Sequence, residues 1–314
     1  MGSIDAQQLE PLEGEELRDI WYTQATKDNA FPLIEASSSG KLETLHHLLS
    51  QQEWAKIALE EQQVRRADRS DPTHTVPMSN LCRALLIAAA RSHVPVVSTL
   101  LAFAWEQRVE RDSVITRYLV DRTIDKRRLD VFEALALADP TVVKFNVHHG
   151  YRPLDKAVRR RHTEFVALLL RHGAPLQHPD PSRRGWSYSG SYLCQSIWAE
   201  GTRMTELLLQ YGASVAQSGA LHFAAERGKL ESMRLLLQNG ADVNELLPAD
   251  TLSAGFSKLV ASWTPLHFAA ARGQIAAMRL LESSGAKSDL VDQNGKTPAQ
   301  LLEDGCQDVK LASL

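Results

Sequence analysis

The sequence predicts an all-α fold in which short helix-turn-helix units stack in a row as a solenoid. Three observations predict it. The segment ALHFAAERGKLESMRLLLQNGADVN at 220–244 recurs nearly unchanged as TPLHFAAARGQIAAMRLLESSGA at 264–286. A glycine (Gly173, Gly212, Gly240, Gly285) follows each Leu-rich run, where a helix ending in a left-handed residue favours glycine. Small residues (Ala157, Ala224, Ala225, Ala269, Ala270) recur in the first helix of each pair, which lets such helices stack closely. The Leu-Leu-Leu face of the second helix needs a neighbouring unit to bury it.

Fainter copies extend the pattern toward the N-terminus. Residues Glu15 to Lys27 read as a short amphipathic helix with Leu17, Ile20 and Trp21 on one face, fit to cap the array. Pro32 to Leu49 forms a first degenerate copy. Trp54 to Arg66 reads as a further helix, and Arg69 to Pro77 as a polar loop. Leu85 to Leu101 is a second degenerate copy, and Val120 to Leu137 is the weakest. Better copies run from Pro153 to Ala174 and from Leu193 to Ala213. Asp292 to Ala299 opens a last, incomplete unit.

These segments resemble ankyrin repeats, down to Thr264-Pro265-Leu266-His267 and Gly240-Ala241-Asp242-Val243-Asn244. The resemblance covers about residues 31 to 312 and is most specific from 150 onward. It implies an ankyrin-repeat solenoid of about seven units with capping segments. Its divisions are an acidic N-terminal capping helix (1–30), degenerate repeats with a long insert at 51–80 (31–149), and well-matched repeats with a C-terminal cap (150–314).

The spacing departs from the family's about 33 residues per unit in an informative way. Gly173 to Gly212 is 39 residues, Gly212 to Gly240 is 28, and Gly240 to Gly285 is 45. Each glycine lies 12 residues after an inner-turn position: Arg161, Glu200, Gly228 or Gly273. The linkers, not the helix pairs, therefore vary. Two long fingers, near 186–192 and 245–263, flank a missing one, and the expected result is a notch.

Composition excludes several function classes. Lys plus Arg is 35 and Asp plus Glu is 38, for a net charge of −3, which gives no global pull toward nucleic acid or acidic lipid. The longest strictly apolar run, Ala84 to Ala90, is seven residues, far short of the roughly 20 of a membrane span. The first residues lack the basic start and apolar core of a signal peptide. Cys82, Cys194 and Cys306 lie too far apart for a metal knuckle or a disulfide framework. The expected setting is intracellular, cytoplasmic or nuclear. Phosphate-binding, nucleophile-elbow and His-Glu-x-x-His signatures are absent. Neither metal nor cofactor is expected, since the paired His46-His47 and His148-His149 diverge on a helix.

Candidate binding residues gather around the long fingers. Residues 186 to 268 hold nine of the chain's 20 aromatics. Tryptophan and tyrosine bury much area at low entropy cost, so they serve well as contact anchors. Trp186, Tyr188, Tyr192, Trp198 and Trp263 are therefore candidates, with Glu226, Arg227, Lys258 and Arg272 beside them. Aligning the units also places Arg91, Lys126, Arg160, Arg227 and Arg272 at one position, a basic ladder expected to face the concave surface. Such a ladder would hold carboxylates of a partner, although arginine before this turn is common in the family.

His222 and His267 occupy the Leu-His position, where the family's histidine bonds a neighbouring threonine. Thr264 serves His267, but Gly219 stands where His222 would need its threonine. A buried histidine rarely stays unpaired, so His222 must bond elsewhere or face the notch.

Two functions follow. The resemblance implies a binding scaffold whose concave face and fingers hold an unidentified protein with an acidic surface. The alternative is a small-molecule binder taking an aromatic or anionic ligand in the notch, even a cofactor-independent isomerase or cyclase using His222, Tyr192 and Arg227. Nucleic-acid binding is the weakest reading, with no recognised module and a net negative charge.

Overall fold

Several helices begin where an apolar run is entered through a proline or a hydroxyl cap. Pro32, Pro95 and Pro265 occupy the first turns of their helices, where a missing N–H costs nothing. Ser79 and Thr116 accept a hydrogen bond from the amides of Cys82 and Leu119, both at 3.2 Å. The structure is a computed structural model and describes residues 29–65, 75–147, 151–176, 192–246 and 262–311. The N-terminal capping helix expected at 15–27 lies outside the described residues.

The chain divides into two compact units, 1–153 and 154–314. In the first, helices α1 (Phe31–Ser38) and α2 (Leu42–Leu49) form one pair. Helix α3 (Gln52–Leu59) and strands β1 (Glu61–Arg65) and β2 (Thr75–Ser79) follow. Then come the pair α4 (Asn80–Ala90) and α5 (Val94–Glu106), a short α6 (Arg111–Val114), and the pair α7 (Arg117–Asp125) and α8 (Leu129–Ala138). A 3-10 turn at Pro140–Lys144 closes the set. Stacking continues through the weakest copy, because α8 packs on α5. Phe132, Leu135, Leu100 and Leu101 are fully or almost fully buried there.

The second unit holds α9 (Pro153–Arg159) with α10 (Thr163–Arg171), and α11 (Tyr192–Ser196) with α12 (Arg203–Gln210). It continues with α13 (Ala220–Glu226) and α14 (Leu230–Gln238), then α15 (Pro265–Ala271) and α16 (Ile275–Ser283), and ends in α17 (Pro298–Leu311). The described residues thus contain seven helix pairs. The small residues do what their spacing predicts: Ala157, Ala224, Ala225, Ala269 and Ala270 are all buried, and α13 packs directly on α15.

Six of the first helices end in the same device. A residue in the left-handed region follows the C-cap, and the next amide reaches back five residues to a helix carbonyl. The left-handed residues are Gly40, Ser92, Arg127, Arg161, Gly228 and Gly273, with φ between 54° and 68°. The closing bonds run from Lys41, His93, Arg128, His162, Lys229 and Gln274 and span 2.8–2.9 Å. This Schellman turn satisfies carbonyls that the helix end would orphan. At Gly228 a side chain is excluded twice, by φ 64° and by Gln274, whose amide lies where a Cβ would stand. In the α11 pair the left-handed residue is Gly201, φ 68°, one position after the Glu200 that the sequence alignment selects.

The insert before α4 departs from the expected long helix. The helix stops at Leu59 because Glu60 turns extended and Glu61-Gln62-Gln63 offers no apolar face to bury. Strands β1 and β2 instead pair antiparallel from Glu61↔Ser79 to Arg65↔Thr75. Part of the segment read as loop, Thr75 to Pro77, is therefore strand. Pro77 is tolerated because a two-stranded ribbon leaves one edge of each strand without ladder bonds. A polar cluster ties the hairpin to α4. The Arg83 guanidinium, only 4% exposed, donates to Asn80 Oδ1 at 2.7 Å and Gln62 Oε1 at 3.3 Å, while Asn80 donates to the Ile57 carbonyl. In the same unit Arg111 pairs with Asp139 and lies over the Phe145 ring.

Candidate binding face

The C-terminal ends of the first helices carry the exposed chemistry of the second unit. Trp198 sits in the turn after α11 and remains 37% exposed. The C-cap residue of α13, Arg227, lies over its indole with the guanidinium carbon 3.6 Å from the ring centroid. The same side chain lies 5.1 Å from the ring of Phe223, which is itself 5.0 Å from Trp198. A guanidinium this close to an indole face is held by the ring quadrupole. Among the described residues no carboxylate pairs with Arg227.

One residue earlier the pattern reverses. Glu226 is buried, and Arg272, the C-cap of α15, binds it across the neighbouring repeat. Nε and Nη2 of Arg272 both donate to Glu226 Oε1, at 3.0 and 2.8 Å. Gln274 adds a bond to the Glu226 carbonyl at 3.3 Å. Trp198, Arg227, Glu226 and Arg272 thus form one ordered row across three consecutive repeats.

The ladder alignment has a local cause as well. Arg91, Lys126, Arg227 and Arg272 are the C-cap residues of their helices, and Arg160 directly follows α9. All five are exposed. A cation there complements the negative end of the helix macrodipole.

Other candidates turn inward. Tyr192 is buried at the start of α11, and its hydroxyl donates to Asp155 Oδ1 on α9 at 2.7 Å. Trp263 is partly buried; its indole donates to Asp292 Oδ2 at 3.3 Å, and its ring meets His267 and Phe268 at 6.3 and 5.3 Å. Trp186, Tyr188 and Lys258 lie outside the described residues.

His222 resolves its missing threonine through the backbone. Only 1% exposed, it bonds the Glu245 carbonyl through Nε2 at 2.8 Å and meets Phe268 edge-on at 5.5 Å. Burial pushes its ring from the ordinary 6.5 down to about 4, against the lift from the Glu245 and Trp263 backbone and the Asp242 charge. A ring so enclosed and so weakly basic is poorly placed for proton exchange with a ligand. The Glu245 carboxylate, whose own pKa is raised by burial, accepts the Gln217 amide at 2.6 Å. His267 follows the family pattern: its Nδ1 accepts the Thr264 amide at 3.2 Å and lies 2.8 Å from the Thr264 hydroxyl. Among the described residues no group of acids, histidines and cysteines has a metal-binding arrangement. Burial pushes the Cys82 thiol up to about 12 and raises Cys194 as well, so neither is a ready nucleophile.

Sequence reasoning missed the Glu226–Arg272 bond, although Glu226 beside Arg227 at a helix C-terminus is a signal of it. A carboxylate at the negative end of a helix needs a cation from elsewhere.

Comparisons with known proteins agree with this geometry. A family model described as ankyrin repeats (many copies) matches residues 221–282, and one described as ankyrin repeat matches 149–181. The ankyrin repeat protein nuc-2 of Neurospora crassa is 32% identical over 124 residues, 38% of this chain. The chain spans 11% of that relative's length. The crystal structure of the ankyrin repeat domain of Bcl-3, described as a unique member of the IkappaB protein family, matches with a TM-score of 0.55 and 23% identity. That match covers 71% of this chain and 97% of the domain, and it speaks for the fold. With its paired helices, its repeated Schellman turns and these matches, the chain carries ankyrin repeats at 149–181 and 221–282 within a solenoid of the ankyrin fold.

Proposed function

We propose that the chain is a non-catalytic scaffold that binds a protein partner through the exposed ends of its first helices and its finger loops. Ankyrin repeats are in general protein–protein interaction modules. The observation that carries the reading here is Trp198, an indole left 37% exposed yet held in place by Arg227 at 3.6 Å. An ordered aromatic surrenders little entropy on binding, which is what an anchor residue requires. The exposed cations Arg160, Arg227 and Arg272 of the second unit favour a partner with an acidic surface. Lys258, Trp186 and Tyr188 join the proposed face by sequence position, exposed Arg272 borders it, and Glu226, Tyr192 and Trp263 support it from beneath. An intracellular setting, cytoplasmic or nuclear, belongs to the proposal and fits the buried free thiols of Cys82 and Cys194. Among the described residues no helix is long and apolar enough to cross a membrane.

The small-molecule alternative finds less support, because His222 and Tyr192 are enclosed and committed to internal bonds. Native mass spectrometry of the full chain, captured gently from its source, separates the two. A kilodalton-scale increment that disappears in Trp198→Ala, with the helical circular dichroism and melting unchanged, is expected. A few hundred daltons instead, or partner capture undiminished in Trp198→Ala, would overturn the reading.

A further inference from the structure

The cations of the second unit are unequal. Arg272 spends its Nε and Nη2 on Glu226, so its charge is largely matched within the protein. Exposed Arg227 is different: it rests on Trp198 and Phe223, and no carboxylate among the described residues neutralises it. Stacking fixes the plane of a guanidinium without using its N–H donors, so the fork stays available for a planar anion. Exposed Lys229 lies two residues on, and exposed Arg161 terminates an earlier helix of the same unit. The free edge of Trp198 offers apolar area beside this charge.

We infer that Arg227, presented on Trp198, is the carboxylate-recognition point of the binding face, and that its occupant is an acidic protein segment with an apolar side chain next to an Asp or Glu. The inference rests on the scaffold reading and specifies its partner's chemistry. Charge complementarity selects the occupant: an unmatched guanidinium beside exposed indole rewards a carboxylate and an apolar group together. A carboxylate also matches the guanidinium fork in two parallel bonds. Glu226, one residue away, is already matched by Arg272 and presents little competing charge.

The test uses the full chain and two synthetic peptides. One alternates glutamates with a leucine and a phenylalanine; the other replaces every glutamate by glutamine. Binding is read by NMR from the Trp198 indole N–H and the Arg227 Nε–H signals, assigned through Trp198→Phe and Arg227→Lys spectra. The acidic peptide is expected to move both signals and the glutamine peptide neither. Arg227→Gln should weaken the acidic peptide about tenfold, the effect of one charge-assisted hydrogen bond, and Arg227→Lys should weaken it less.

Equal binding of both peptides, no shift at either signal, or a stronger response to inorganic phosphate or a short oligothymidylate would each overturn the inference. If the peptides fail while Trp198→Ala still releases the natural partner, the role of Arg227 falls and the scaffold reading stands. If Trp198→Ala keeps its partner, both fall.

Discussion

Arg272 grips Glu226 with two N–H groups converging on one oxygen, across two adjacent repeats. The acid is 7% exposed and the arginine 61%, so the pair is half in solvent and half out of it. Removing the arginine leaves a mostly desolvated carboxylate without its main cation. Arg272→Ala should therefore lower stability by about 1–2 kcal/mol, between the values of surface and buried pairs. Glu226→Gln should cost less, because the neutral amide still accepts from Arg272. Urea midpoints of the two single variants and the double variant measure the coupling. Costs that simply add would show the two side chains to be independent.

Acid should loosen the second unit. The folded His222 ring has a pKa of about 4, below its ordinary 6.5, so the unfolded chain takes up the proton first. This contribution is complete above pH 6.5 and is lost as pH falls from about 6.5 toward 4, by on the order of 3 kcal/mol at most. His267, also pushed down by burial, acts in the same direction. Glu245, raised by burial, acts oppositely and offsets part of the loss. Comparing urea midpoints at pH 7 and 4.5 tests this; the difference should shrink in His222→Gln. A pH response unchanged in that variant would assign the effect to other groups.

Tyr192→Phe removes the bond to Asp155, both partners being buried. The expected cost is about 1–2 kcal/mol, that of an acceptor left short of a donor, with no effect on partner affinity. Thermal melting and a binding titration read the two effects separately. Lost affinity with an unchanged melting point would place Tyr192 in the contact surface after all.

After helix α5 and its C-cap Gln107, Arg108 stands in the left-handed region, φ 55°, and the Val109 amide closes the turn on the Ala104 carbonyl at 3.0 Å. The second-helix turns of the other unit use Gly173, Gly212, Gly240 and Gly285 at this place. Arg108→Gly relieves a strain of about 1–2 kcal/mol and gives back part through the more flexible unfolded chain. A net gain of about 0.5 kcal/mol is expected, seen as a higher urea midpoint. A loss would mean that the Arg108 side chain contributes more than its backbone costs.

Much of the fold was legible because its signals are local. Leu-rich runs, buried alanines and the turn glycines each reflect forces acting within one unit. The Thr264–His267 bond was legible for the same reason, its partners being three residues apart. What stayed hidden depends on distant backbone. The partner of His222 is a carbonyl 23 residues away, and any residue type at 245 would present one. The β1–β2 hairpin was obscured because Glu61-Gln62-Gln63-Val64-Arg65 shows no apolar alternation. Gly201 was displaced from its expected register because the short α11 leaves four residues, not one, before the left-handed position. For the binding face, the exposure of Trp198 was inferable from its place in the repeat. The inward turn of Tyr192 was not, since it depends on Asp155 on another helix.

Glu245 is fastened by His222 and Gln217, and Ser262 and Trp263 are fastened to Gln293 and Asp292. The chain is therefore tied down on both sides of residues 247–261 by anchors that belong to the stacked repeats. Loop closure between fixed ends grows only slowly with the length enclosed. Exchange of that stretch for an unrelated sequence should leave the neighbouring helix pairs standing, so the interval is a grafting position where new specificity can be installed on an unchanged frame.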